Sequence, residues 1–290
     1  MRYFLLLIVL LSLPTQAGKI AIIIDDVGDN RTLSMRSLSL DKKVALSVLP
    51  HTPFSHEVSR LATSRGMEVM LHQPMESIDN NHLLGPGRLL NSMSETELKR
   101  TLNENLDDYP DVIGVNNHMG SLMTQDPRRM GWIMSVLTSR GKFYIDSKTS
   151  PDSQAAHVAQ NWHVPNMTRH IFLDHVDDYQ AIALQFERLM TLAKRYGHAI
   201  AIGHPRINTL AYLEAQIPKL AEHEIELVKI TDLVNVYYRP DYPMLPNPQC
   251  YPEQDDNMNK TSLRQKITRH RCQSRNRDTT KDLYEKYTTH

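Results

Sequence analysis

The run Ala21-Ile22-Ile23-Ile24 constrains this chain more than any other stretch, because it is apolar without alternation and ends abruptly on Asp25-Asp26. An unbroken β-branched run reads as a strand buried on both faces, which a parallel sheet covered by helices provides. Two carboxylates at the mouth of such a strand must be paired, hydrogen-bonded or metal-bound to stay ionised. The same form recurs downstream. Val69-Met70-Leu71 breaks into His72-Gln73-Pro74, and Ile113-Gly114-Val115 into Asn116-Asn117-His118-Met119-Gly120-Ser121. Ala199-Ile200-Ala201-Ile202 breaks into Gly203-His204-Pro205, and Phe143-Tyr144-Ile145 ends on Asp146. Carboxylates and imidazoles gathered at strand ends are the components of a hydrolytic metal site.

Helical periods fill the intervals. The pattern predicts helices over residues 55–65, 94–109, 126–140, 178–196 and 209–222. Ser94 and Glu97 form a capping box, Asp126-Pro127 is an N-cap and first-turn pair, and Asp177 is the expected cap of the long helix. About seven strands separated mainly by helices call for a parallel sheet with helical cover. Two architectures fit: a doubly wound open sheet, or a (β/α) barrel of about seven or eight strands. Both put their chemistry at the carboxyl ends of the strands, where the acids and histidines stand.

Composition bounds the partners. With 33 basic and 33 acidic residues in 290, and few aromatics, no electrostatic or stacking footprint for nucleic acid is present. Arg2, the apolar core Phe4 to Leu11 and the small residues around Ala17 read as a secretory signal peptide over residues 1–17, with a mature start near Gly18. No later segment is long and apolar enough to span a bilayer. The expected location is therefore the periplasm, after export across an inner membrane. The folded core is expected over residues 18–240, followed by a proline-punctuated and then basic tail over 241–290. That tail either contacts an anionic envelope polymer or envelope protein, or is simply solvated. Cys250 and Cys272 both fall in it, apart from the strand-end cluster, where a disulfide between them is open.

Within the cluster, Asp26 suits a divalent cation and Asp25 a proton from water, because adjacent residues leaving a strand point in different directions. A turn that caps its own amides is the structural alternative. His118 sits among Asn116, Asn117 and Ser121, polar groups suited to fixing a tautomer or holding an oxyanion. His204, between Gly203 and Pro205, looks placed rather than tolerated. Asp146 either orients one of these histidines or forms a salt bridge. Asp174, which ends Ile171-Phe172-Leu173, ranks behind it.

The segments Ile22 to Gly28, Gly114 to Ser121, Ile145-Asp146-Ser147 and Ile202 to Pro205 resemble the divergent polysaccharide deacetylases, the YibQ-like family, in order and over roughly residues 18–236. The resemblance implies a distorted seven-stranded (β/α) barrel related to the metal-dependent polysaccharide deacetylases. It implies Asp25 as base, Asp26 and His72 as ligands of a divalent metal, and His204 as an acid oriented by Asp146. Two departures stand out. Glu76 occupies the place of the usual second histidine, and Asn116-Asn117-His118 replaces an arginine-proline motif. His118 is therefore taken as the third ligand, with zinc the leading metal for such an N/O set. Asn116, Asn117 and Ser121 are taken as substrate-binding. The implied activity is removal of acetyl groups from an N- or O-acetylated envelope glycan or oligosaccharide. The rival readings are a catalytically lapsed barrel that binds envelope glycan or a cell-wall enzyme, and a metal-dependent phosphoesterase or amidase.

Overall fold

The computed structural model describes residues 17–238; residues 1–16 of the expected leader, the expected tail over 241–290 and both cysteines lie outside them. Nine strands form one sheet: β1 (Gly18–Val27), β2 (Ala45–Val48), β3 (Val69–Met75), β4 (Gly114–Met119), β5 (Phe143–Asp146), β6 (Asn166–Thr168), β7 (Ile171–Phe172), β8 (His198–Gly203) and β9 (Ile225–Leu227). Their order is β6-β5-β4-β3-β2-β1-β8-β7, every ladder is parallel, and β9 lies beside the first residues of β1. Helices α1 (Arg31–Ser37), α2 (Ser55–Ser64), α3 (Glu95–Asp108), α4 (Pro127–Arg140), α5 (Ala155–Asn161), α6 (Tyr179–Tyr196), α7 (Ile207–Gln216) and α8 (Ile230–Tyr237) fill the crossovers and the end of the described residues.

The two edge strands, β6 and β7, are consecutive in sequence and close the sheet on itself. Arg169 N donates to Asp146 O on β5 at 3.0 Å, and the next amide, His170 N, donates to Ile200 O on β8 at 2.9 Å. Two neighbouring amides thus tie both edges where a full ladder would run in a regular barrel. The architecture is a distorted (β/α) barrel, and the open-sheet alternative falls.

Side-chain parity sorts the core. On β1, Ile20, Ile22 and Ile24 pack outward with the helices, whereas Ala21 and Ile23 face inward. The inner cluster adds Met70, Phe143, Ile145, Ile200 and Ile202, with Ile230, Leu233 and Val234 of α8 packed among them. Burial on both faces explains why these strands lack a polar alternate.

Several expectations need correction. There are nine strands rather than about seven, because β6 and β7 have only three and two residues, too few to show a period. β3 and β4 run on to Met75 and Met119, so His72 and His118 lie inside strands. Asp178 caps α6 in place of Asp177, accepting from Gln180 N and Ala181 N. The helix expected over residues 209–222 divides, with α7 ending at Gln216 and a 3-10 turn (Ile217–His223) taking over at Pro218, whose ring cannot donate to the preceding turn.

Candidate metal centre

Asp25 continues the inward parity of Ala21 and Ile23 and would by itself send Asp26 toward the helices. A bulge prevents that. The register of β1 on β2 shifts between Ile24 and Val27, and Asp26 takes a left-handed φ of 55°. An aspartate in that region costs about 1–3 kcal/mol, held by the surrounding structure. The bulge turns Asp26 back to the barrel axis, so both carboxylates face one centre.

His72 on β3 shares the parity of Met70, and His118 on β4 that of Gly114 and Asn116. The two strands pair in register, with His72 opposite Asn116 and Pro74 opposite His118. Asp26 Oδ1 lies 2.8 Å from His118 Nδ1 and 3.1 Å from His72 Nε2, and the two nitrogens are 3.2 Å apart. Asp26 Oδ1 is nevertheless buried without an aligned hydrogen-bond donor. Three potential ligand atoms within about 3.2 Å of one another, one of them a buried carboxylate oxygen without an aligned donor, are what a cation requires. Around a tetrahedral zinc, with bonds of about 2.0–2.1 Å, ligand atoms stand roughly 3.3 Å apart. One carboxylate and two imidazoles fit a divalent N/O metal and leave coordination positions free for water and substrate.

The amide of Asn116 organises this centre. Its Oδ1 accepts from His72 Nδ1 at 2.8 Å and from Ser47 Oγ at 2.5 Å, and its Nδ2 donates to Asp25 Oδ1 at 2.7 Å. Occupying Nδ1 leaves His72 Nε2 as the nitrogen that could ligate a cation. Burial is the largest influence on Asp25 and raises its carboxyl above the usual range, against the pull of His72, His204 and the Asn116 amide. Burial would also raise Asp26, but contact with His118 and His72 holds it well below the usual range. For His72, burial would lower the imidazole, yet Asp25 and Asp26 together push it up to about 9.

A second assembly faces the first. His204 Nδ1 donates to Asp174 Oδ1 at 2.8 Å, while Asp174 Oδ2 accepts from His204 N and Thr209 Oγ1, each at 2.7 Å. The opposite ring nitrogen, Nε2, points inward, 3.7 Å from Asp26 Oδ2. Burial would lower His204, and the Asp174 contact with the charges of Asp26 and Asp25 outweighs it, so the ring holds its proton more tightly than usual. Asp174, resisting its own burial, stays ionised below the ordinary range through the same contact.

Asp146 is therefore not the partner of His204. It has the parity of Tyr144, which packs outward, and its oxygens accept from Lys148 N and Ser153 Oγ, each at 2.8 Å. Asp174 has the parity of Phe172, which packs on the inner cluster. Parity was the available signal. The substrate-binding assignments also need correction. Asn116 and Asn117 are fully buried. Asn117 braces strands, accepting from Tyr144 Oη at 2.9 Å and Ser147 N at 3.0 Å. Ser121 fastens the loop after β3 through Ser77 Oγ at 2.7 Å and Ile78 N at 3.0 Å. Glu76 is held in that loop by Asn91 N and is not in the group formed by Asp26, His72 and His118.

Two of the candidate ligands, Asp26 and His118, line a cavity of about 520 Å³ with Asp29, Leu83, Pro86 and Met119 among others. A family model described as divergent polysaccharide deacetylase matches residues 22–234, which span the barrel. An uncharacterised protein of Haemophilus influenzae is 34% identical over 216 residues, covering 74% of this chain and 76% of that one. The uncharacterised Escherichia coli protein YibQ is 35% identical over 225 residues, covering 78% and 70%. Among solved structures, an uncharacterised Agrobacterium tumefaciens protein superposes with a TM-score of 0.71 at 20% identity, covering 76% of this chain and 91% of its own. That similarity shows the fold, and the family match runs through every strand that carries a site residue: the chain belongs to the divergent polysaccharide deacetylases.

Proposed function

We propose that this chain is an exported, metal-dependent hydrolase that removes acetyl groups from an N- or O-acetylated envelope sugar. The observation that carries the reading is the convergence of Asp26, His72 and His118 on one point, with an aspartate-backed histidine facing it. When bound, a divalent cation supplies Lewis acidity toward the acetyl carbonyl and the attacking water. Asp25 takes the proton from that water, and the Asn116 amide favours its ionised form. His204, held through Nδ1 by Asp174, delivers a proton from Nε2 to the leaving nitrogen or oxygen. The products are acetate and a free amine or hydroxyl. Zinc is the proposed metal. The leader supports an envelope location, and no described helix is long and apolar enough to cross a membrane.

Acetate release from purified envelope polymers and acetylated oligosaccharides tests the reading. Release that a chelator stops and added zinc restores is expected. A metal-loaded protein that frees no acetate from any of them would instead be a barrel that only binds glycan.

A further inference from the structure

Arg169 sits on the crossing that closes the barrel, at the rim of the candidate site. Its Nε donates to Ser147 O at 2.7 Å and its Nη2 to Lys148 O at 3.0 Å. The guanidinium lies 4.9 Å from the centre of the Phe172 ring, and that ring is 5.1 Å from His204's. Two backbone carbonyls and an aromatic face thus fix a cation one side chain away from the proposed acid. Asp146, whose charge acts on it without direct contact, has its oxygens turned to Lys148 N and Ser153 Oγ. Among the described residues, Arg169 has no carboxylate within ion-pair distance, and its Nη1 has no protein partner yet is not shut off from solvent. Lys148, next to it, is exposed and adds a second positive charge. The cavity at Asp26 and His118, by contrast, has Asp29, Asn30 and Asn80 among its leucines and prolines and no lysine or arginine in its lining. One flank of the centre offers no basic side chain, and the other carries a preorganised guanidinium with an unused donor.

We propose that Arg169 reads an anionic substituent, a carboxylate or a phosphate, on the sugar whose acetyl group enters the metal centre; this rests on the deacetylase reading. A guanidinium fixed before binding loses little freedom when it engages an anion, and charge-assisted pairs are the stronger hydrogen bonds.

Calorimetry on the zinc-loaded full chain with three probes tests it: N-acetylglucosamine, N-acetylmuramic acid and N-acetylglucosamine 6-phosphate. At low salt one anionic sugar should bind about tenfold tighter than the neutral one, and the preference should shrink as salt rises. Whichever anionic probe binds tighter names the substituent. Arg169→Gln should erase the preference while leaving affinity for N-acetylglucosamine unchanged. Should that variant fail to fold, Arg169→Lys decides, since it keeps the charge, loses the fork and must lower the preference. Equal binding of all three probes by the wild type, or a preference that either folded variant leaves intact, overturns the inference alone. Binding of none of them contradicts the deacetylase reading and this inference with it.

Discussion

Asn116 does at one position what two residues often share: its oxygen sets the tautomer of a ligand while its nitrogen steadies the proposed base. Asp174 does the corresponding work for His204. Asp174→Asn should therefore keep the metal and lower turnover by about a hundred- to ten-thousand-fold, the range for losing a positioned proton donor. Asp146→Asn should leave the pH dependence of turnover unchanged, since that carboxylate serves the turn before α5; a change in that profile would show it acting on the site. His72 gives a second prediction. In the metal-free chain a proton occupies its ring up to about pH 9, on the nitrogen a cation needs. Metal binding must expel that proton, so apparent affinity should rise about tenfold per pH unit between 6.5 and 9 and then level off. Calorimetry in buffers of differing ionisation enthalpy should count close to one proton released at about pH 7, whereas pH-independent affinity would contradict it. The paired aspartates and the three histidines could be read from strand ends. The choice between Asp146 and Asp174 needed the face each strand turns inward, which follows from counting back to Tyr144 and Phe172.

At the scale of elements, the bulge at the end of β1 makes the site, and Gly28 permits it. Its φ of 116° suits glycine, and a Cβ there would lie 2.7 Å from Ser55 Cβ and 2.8 Å from Ser55 Cα. Gly28→Ala should cost about 2 kcal/mol or more of stability in urea unfolding, through backbone strain and overpacking, and should weaken metal binding by displacing Asp26. Unchanged stability would mean the turn relaxes freely. Long elements with caps were legible: the Ser94–Glu97 capping box and the Asp126 cap both form as read. Short ones were not. α1 and α5 have seven residues each, and Pro74 and Asn116-Asn117 disguised the continuation of β3 and β4 as turns. A bulge leaves no period in a sequence, so the convergence of Asp25 and Asp26 could be inferred only from their chemistry.

Over the described barrel as a whole, the carboxyl ends of β1, β3, β4 and β8 bring residues from positions 25 to 204 to one centre. The left-handed non-glycine residues Asp26, His51, Met119 and Lys148 follow or end strands on that same face, so backbone strain gathers where the chemistry is proposed. The central claim is that His118 completes a metal site that Glu76 does not enter. Elemental analysis of protein purified without chelator tests it most directly, with wild type, His118→Ala and His204→Ala in parallel. About one divalent metal per wild-type chain is expected, with loss in His118→Ala and retention in His204→Ala. A full site in His118→Ala beside an empty one in His204→Ala would contradict the account.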